Sequence, residues 1–154
     1  MLYFAYGSNM DWAQMNQRCP SACFVAVAKL PDHRIAFTRK SRSRGCGVAD
    51  AVPTAGSEVW GVVFEIDGLD LGALDQNEGY RPGRDTNSYW RRECMVFAEG
   101  SADKPLTVQT YFATPEPNAP LPNQAYKDLI VGGARHWRLS ESYIATLERI
   151  EVQR

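Results

Sequence analysis

The chain has 154 residues, of which 44% are hydrophobic and 23% are charged. These values are ordinary for a soluble globular protein, so we predict one domain spanning residues 1–154. The formal net charge of −1 gives no reason to expect nucleic acid or an anionic membrane as a partner. We also expect no membrane span and no signal peptide, because no apolar run is long enough and the first residues lack a basic n-region.

The four cysteines are Cys19, Cys23, Cys46 and Cys94, and they show no paired CxxC spacing. The two histidines are too few for a histidine-based metal site, so we expect neither a metal nor a cofactor. Without an export signal, the expected location is the cytoplasm, where these thiols would be reduced.

The first half of the chain is predicted to consist mainly of strands. Leu2 to Tyr6 is a short apolar strand, and Asp11 can cap a helix that continues to Arg18. Four further strands are predicted, with turns at Pro31-Asp32 and at residues 53–57: Cys23 to Leu30, Arg34 to Thr38, Gly47 to Val52 and Glu58 to Ile66.

The strand Glu58 to Ile66 is the strongest in the chain, and it is apolar on both faces. This pattern predicts a central strand that is covered on both sides. Gly61 interrupts it, which indicates that another backbone or a ligand approaches closely at this point.

The second half of the chain contains helices as well as strands. Asp67 to Asn77 is predicted to be a helix that ends at Glu78-Gly79, followed by a loop over residues 81–88. Two strands, Tyr89 to Phe97 and Thr107 to Phe112, are joined by a polar turn around residues 100–105. A proline-rich arm then leads to two helices, which are capped by Asn123 and Ser140.

Strands that follow one another across short turns favour antiparallel pairing. We therefore predict an α+β fold: a small, mainly antiparallel sheet, curled into a barrel, with helices packed outside it.

The sequence contains no GxSxG, HExxH or Walker motif, so carboxylates, tyrosines and backbone donors are the candidates for chemistry. The first candidate is Tyr6-Gly7-Ser8-Asn9, here called the YGSN corner. Successive N–H groups in such a corner can bind an anion. The alternative is an ordinary turn.

The second candidate is Glu78. A carboxylate at a helix C-terminus is electrostatically unfavourable, and a residue in a locally unfavourable position is a candidate for function. The alternative is an exposed glutamate at a frayed helix end.

Residues 39–44, here called the basic segment, carry four cations in six positions. A solvated, mobile loop is the favoured interpretation. The alternatives are phosphate contact, or one arginine that approaches an acidic substrate.

Five stretches together resemble the gamma-glutamylcyclotransferase family. They are LYFAYGSNM at 2–10, PSACFVAVAKLPDHRIAFT at 20–38, EVWGVVFEID at 58–67, ALDQNEGY at 73–80 and PNQAYKDLIVGGA at 122–134. The resemblance runs through nearly the whole chain in the family's order and spacing, and YGSN followed by LDxxEG is a specific pair.

The resemblance implies a mixed barrel flanked by helices, and an enzyme that converts γ-glutamyl amines or amino acids into 5-oxoproline and a free amine. It implies that Glu78 is the general acid/base. It also implies a set of substrate-binding residues: Tyr3, Phe4, Ala5, Tyr6, Gly7, Ser8, Asn9, Tyr89 and Tyr126.

Other functions remain open at this point. One is a tailoring enzyme that removes a γ-glutamyl protecting group from a biosynthetic intermediate, and another is a binding module of the same fold without turnover. The expected partner is a small γ-glutamyl molecule and the expected state is a monomer or homodimer. The segment 80–88 is longer than the resemblance leads us to expect, and it is predicted to adjoin the mouth of the pocket.

Overall fold

Two long strands form the middle of the fold, which a computed structural model describes for residues 1–101 and 103–154. The described elements, in chain order, are β1 (Leu2–Ala5), a 3₁₀ turn (Ser8–Met10), α1 (Trp12–Arg18), β2 (Cys23–Ser41), β3 (Cys46–Glu65), α2 (Gly68–Asn77), β4 (Tyr89–Ala98), β5 (Pro105–Ala113), α3 (Gln124–His136) and α4 (Glu141–Glu148).

The five described strands close into a barrel in the order β1-β3-β2-β4-β5. Neighbouring strands pair antiparallel, except where β1 and β5 close the barrel in parallel with Tyr3 opposite Gln109. The predicted α+β fold, a mainly antiparallel barrel flanked by helices, is confirmed.

The two predicted turns inside β2 and β3 do not break these strands. The two predicted turns lie opposite each other in the paired strands and form one irregularity. There the register shifts, because Pro31 pairs with Glu58 and His33 pairs with Pro53. Asp32 has a φ of 58°, and its Oδ1 accepts a hydrogen bond from the Gly56 N–H at 3.0 Å. The turn-forming residues therefore bend one long hairpin instead of separating four short strands.

The second part of β3 is the central strand that the sequence predicts. Val62, Val63 and Phe64 are fully buried, and the strand pairs with β1 on one side and β2 on the other. A Cβ added at Gly61 would lie 2.2 Å from the carbonyl oxygen of Ala5. The close approach at Gly61 is thus made by the backbone of β1.

The helices begin where the sequence offers a capping side chain. Asp11, Asn123 and Ser140 accept hydrogen bonds from backbone N–H groups in the first turns of α1, α3 and α4, as predicted. Gly133 brings α3 against the 3₁₀ turn, since a Cβ at this position would lie 2.5 Å from the Met10 carbonyl carbon. This docking packs the later part of α3 against the 3₁₀ turn that follows β1.

The polar turn predicted around residues 100–105 includes residue 102, which lies outside the described residues. Within the part of the chain that the structure describes, no helix has both the length and the apolar character needed to cross a membrane.

Candidate active site

A pocket of about 650 Å³ opens where the YGSN corner, the end of α2 and the basic segment meet. Most of the site residues expected from the sequence line this pocket: Tyr3, Tyr6, Gly7, Ser8, Asn9, Glu78, Tyr89 and Tyr126. Segments far apart in the chain are thus brought together around one cavity.

Two of the expected residues, Phe4 and Ala5, lie outside the lining of this pocket and belong to the core. Side chains alternate across a strand, so Phe4 points away from the side that Tyr3 presents. Their carbonyl oxygens serve the barrel: Phe4 accepts a hydrogen bond from the Thr110 hydroxyl, and Ala5 packs against Gly61. We therefore leave both residues out of the proposed substrate contacts.

The YGSN corner is held from behind by its own side chains. Asn9 donates to the Tyr3 hydroxyl at 3.0 Å, and its Oδ1 accepts from Gln14 and Arg18. The Ser8 hydroxyl also accepts from the Gln14 amide.

The backbone of the corner is left with free donors. The 3₁₀ turn uses the carbonyls of Gly7 and Ser8, which accept from the N–H groups of Met10 and Asp11. Among the described residues, the N–H groups of Ser8 and Asn9 have no hydrogen-bond partner. They are therefore available to an anionic group in the pocket.

Glu78 closes α2, and its direction is set by the glycine that follows it. The Glu78 N–H donates to the Leu74 carbonyl, and Gly79 has a φ of 67°, a left-handed conformation that favours glycine. A Cβ at Gly79 would also lie 3.1 Å from the Cβ of Ser88. Glycine thus ends the helix with Glu78 at the pocket.

The environment of Glu78 raises its pKa from an ordinary 4.5 to about 7. Burial of the carboxyl is the main cause, and the positive charges of Arg18 and Arg44 oppose it in part. The nearby Asp75 raises the pKa further. Asp75 is itself held by the Tyr111 hydroxyl at 2.6 Å and by Arg91 at 3.2 Å.

Two tyrosines of the pocket hold the same backbone residue, Ala49 in β3. The Tyr89 hydroxyl donates to the Ala49 carbonyl at 2.6 Å, and the Ala49 N–H donates to the Tyr126 hydroxyl at 3.0 Å. Burial raises the pKa of Tyr126 to about 12, so this hydroxyl keeps its proton. The Tyr126 hydroxyl accepts from Ala49 and can therefore donate its own hydrogen to a ligand. The Tyr89 hydroxyl already donates its hydrogen to Ala49, so towards a ligand it can only accept.

The Tyr6 hydroxyl, like that of Tyr89, donates its hydrogen to a backbone carbonyl. The acceptor is the Tyr111 carbonyl at 2.6 Å, and burial raises the pKa of Tyr6 well above the usual value. The pocket therefore offers acceptors at Tyr6 and Tyr89, and donors at Tyr126 and at the backbone of Ser8 and Asn9.

The basic segment differs from the solvated, mobile loop that the sequence favoured. All six of its residues line the pocket, and two of its arginines are half-buried and held by neutral partners. Arg39 donates to the Thr114 carbonyl at 3.1 Å. Arg44 donates to Gln14 at 2.8 Å and lies 4.9 Å from the centre of the Tyr126 ring.

The long segment 80–88 lies mostly beside the pocket. Ser88 is the residue of this segment that the described pocket includes, and residues 81–86 are exposed. Asn87 closes the loop on itself, because its side chain bonds both the N–H and the carbonyl of Arg81.

Sequence reasoning missed Gln14, Arg18 and Tyr111 as members of the site. Gln14 and Arg18 are four residues apart, so they share one face of α1 directly after the YGSN corner. That spacing could have identified them. Tyr111 carried no such signal, because only the closure of the barrel brings β5 beside β1.

Comparison with known proteins agrees with this architecture. A model of the AIG2-like family matches residues 58–147, which is more than half of the chain. The human protein named gamma-glutamylcyclotransferase is 35% identical, with 97% of this chain and 78% of the human protein covered. The mouse protein of the same name is 34% identical over the same shares.

Solved structures show the same likeness in three dimensions. A structure named gamma-glutamyl cyclotransferase matches with a TM-score of 0.90 at 32% identity, covering 99% of this chain and 89% of that one. A yeast gamma-glutamyl cyclotransferase specific to glutathione matches with a TM-score of 0.63 at 12% identity, over 96% of this chain and 93% of its own, which shows the shared fold alone.

The closed barrel, with a half-buried carboxyl and several tyrosines around one pocket, defines an enzyme of the AIG2-like class. Sequence identity above 30% to proteins named gamma-glutamylcyclotransferase, over nearly the whole chain, identifies the particular family within this class. The chain belongs to the gamma-glutamylcyclotransferase family.

Proposed function

We propose that this enzyme converts a γ-glutamyl amine or γ-glutamyl amino acid into 5-oxoproline and the free amine, with Glu78 as general acid/base. The observation that carries the proposal is one juxtaposition. A carboxyl group with a pKa of about 7 lines the same pocket as the free N–H groups of the YGSN corner.

This reaction needs no nucleophile from the enzyme, which fits a pocket built of one carboxyl, tyrosines and backbone donors. The α-amine of the substrate attacks its own γ-carbonyl and closes a five-membered lactam. Because the two groups are tethered, their effective concentration is on the order of 10⁵ M or more when they are well oriented. The enzyme has to fold the substrate, move protons and stabilise the developing oxyanion.

Glu78 can serve both proton transfers. Its carboxylate takes a proton from the α-ammonium, the freed nitrogen attacks the γ-carbon, and a tetrahedral oxyanion forms. The protonated Glu78 then gives the proton to the departing nitrogen as the original amide bond breaks, while the second proton of the attacking nitrogen passes to the released amine, which leaves as an ammonium ion. A pKa of about 7 suits both steps, because each protonation state is well populated near neutral pH.

The donors and acceptors of the pocket match the charges of this substrate. The N–H groups of Ser8 and Asn9 and the hydroxyl of Tyr126 can donate to the α-carboxylate or to the oxyanion. The hydroxyl oxygens of Tyr6 and Tyr89 can accept a hydrogen bond from the α-ammonium, because each hydroxyl already donates its hydrogen to a backbone carbonyl.

The test is 5-oxoproline release from a panel of γ-glutamyl amino acids by the wild type and by Glu78→Gln. We expect the variant to fold and to lose turnover by about 10²- to 10⁴-fold, the usual contribution of a general acid/base. Ser8→Ala should cost much less, because the Ser8 hydroxyl accepts a hydrogen bond from Gln14 and the substitution leaves the backbone N–H in place.

An active, folded Glu78→Gln variant would contradict the assigned role. Saturable binding of γ-glutamyl compounds without any 5-oxoproline would instead favour a binding module of the same fold. Turnover confined to large γ-glutamyl conjugates would favour a tailoring enzyme.

A further inference from the structure

The pocket carries a positive charge that the proposed reaction does not use. Five cationic side chains line it, against the two carboxylates of Glu78 and Glu116, although the whole chain has a formal net charge of −1. Four of the five cations belong to the basic segment, and the fifth is Arg18. A concave site lined by one sign of charge concentrates ligands of the opposite sign.

The cations of the basic segment are not neutralised by the protein. Within the described part of the chain, none of the four has a carboxylate oxygen within 4.0 Å. Glu116 lines the same wall, but its Oε1 accepts a hydrogen bond from the backbone N–H of Lys40 at 2.8 Å. This acid therefore holds the strand in place and leaves the side-chain charges without a counterion.

Two of these cations are fixed in position before any ligand arrives. Arg39 is held by the Thr114 carbonyl, and Arg44 by the Gln14 amide and the face of Tyr126. Each guanidinium has five N–H donors, and each uses one of them in these contacts. The remaining donors can form charge-assisted hydrogen bonds with a carboxylate without a further cost of ordering the side chain.

Lys40 and Arg42 complete the wall at its exposed rim. Exposed cations add little to affinity one by one, but a row of them attracts an anion along the approach to the pocket. The basic segment thus combines two anchored arginines with two exposed cations.

We propose that the basic segment binds a carboxylate on the amine that is released, and so makes the enzyme prefer γ-glutamyl amino acids or peptides over uncharged γ-glutamyl amines. This inference rests on the proposed function. In the proposed function, the donors of the YGSN corner and of Tyr126 take the α-carboxylate of the glutamyl group and the oxyanion, and the proton transfers occupy Glu78. A second anion on the same substrate lies beyond the scissile amide, on the departing part.

The experiment compares two substrates that differ in one group. γ-Glutamyl-alanine and γ-glutamyl-ethylamide are identical except for the carboxylate on the leaving amine. For the wild type we expect kcat/KM to be at least about tenfold higher for γ-glutamyl-alanine, and this ratio should fall between 20 mM and 300 mM salt because exposed charges are screened.

The double variant Lys40→Gln/Arg42→Gln should lower this ratio by about three- to tenfold through the KM of γ-glutamyl-alanine, as expected for two exposed charge contacts. Arg44→Gln should lower it further, because its guanidinium is anchored at the wall. Arg84→Gln is the matched control: Arg84 is exposed and lies outside the pocket lining, so the ratio should not change.

Equal kcat/KM for the two substrates in the wild type would overturn this inference and leave the proposed function standing. So would a ratio that none of the basic-segment variants changes. A double variant Lys40→Gln/Arg42→Gln that weakens both substrates equally would show that these two cations bind the α-carboxylate instead, which also overturns it. Failure of both substrates to yield 5-oxoproline would overturn the proposed function, and this inference with it.

Discussion

The Tyr126 hydroxyl accepts a hydrogen bond from the backbone N–H of Ala49 at 3.0 Å, and this contact joins the first turn of α3 to the wall of the barrel. Tyr126→Phe removes both this acceptor and the donor that faces the pocket. We expect KM to rise by about tenfold, the effect of one lost hydrogen bond to a charged group. Steady-state kinetics with a γ-glutamyl amino acid measure this, and an unchanged KM would remove Tyr126 from the proposed substrate contacts.

Tyr143→Phe is the matched control for this variant. Tyr143 is also buried, but it lies in α4, outside the lining of the candidate active-site pocket. Removing its hydroxyl should leave KM unchanged, whereas Tyr126→Phe should also lower the free energy of unfolding by about 1–3 kcal/mol, because the Ala49 N–H loses its acceptor.

The pKa of Glu78 predicts how activity depends on pH. The carboxylate must be ionised to accept a proton from the α-ammonium, so kcat/KM should rise with pH through an inflection near 7. The pH dependence of initial rates measures this limb. An inflection near 4.5, the ordinary value, would mean that Glu78 is not the base of the free enzyme.

The same raised pKa predicts a pH-dependent cost to stability. The folded state binds the Glu78 proton more tightly than the unfolded state, so unfolding releases a proton between about pH 4.5 and 7 and stability falls as pH rises through this window. Above this window the cost is constant, at about 3 kcal/mol.

Glu78→Gln lacks this cost. The free energy of unfolding of the variant, relative to the wild type, should therefore increase by about 2–3 kcal/mol between pH 5 and pH 8.5. Urea unfolding at both pH values measures the difference, and any pH-independent cost of the amide cancels. A difference that does not change with pH would contradict a raised pKa.

Gly61 and Gly72 provide a matched pair of glycine-to-alanine variants. At Gly61 a Cβ would meet the Ala5 carbonyl at 2.2 Å, so Gly61→Ala must push β1 and β3 apart and should destabilise the protein by about 3 kcal/mol or more. Gly72 lies exposed within α2 with open space around it, so Gly72→Ala should stabilise the protein by about 0.5–1 kcal/mol. Thermal unfolding compares the two, and a Gly61→Ala variant as stable as the wild type would contradict the close approach.

Local sequence patterns predicted which segments form helices and strands. They did not predict that pairs of short predicted strands continue into the long strands β2 and β3. Capping side chains marked where three helices begin, and apolar residues on both faces marked the central strand. The hairpin of β2 and β3 was divided wrongly, because Pro31 and Gly56 are turn-forming residues wherever they occur. Whether such residues end a strand or only bend it depends on the partner strand, as the bond between Asp32 and Gly56 illustrates.

The site divides in a similar way. Glu78 and the YGSN corner stood out because each is locally unusual, whereas the roles of the basic segment and Tyr111 depend on contacts between distant parts of the chain. The charge of the basic segment was visible in the sequence, but its place against Gln14 and Tyr126 was not. From sequence alone, a run of cationic residues is most simply interpreted as exposed to solvent, because the residues that it contacts are set by the tertiary structure.

The parallel closure of the barrel has a kinetic consequence. Tyr3 and Tyr111 lie on the two strands that close it, with more than 100 residues between them, and their rings meet edge to face at 5.9 Å. Contacts so distant in sequence form late, because the entropy of closing a long loop must be overcome first. The β2–β3 hairpin can form locally, but the pocket does not exist until the first and last strands meet. During refolding, the return of catalysis should therefore lag behind the formation of secondary structure.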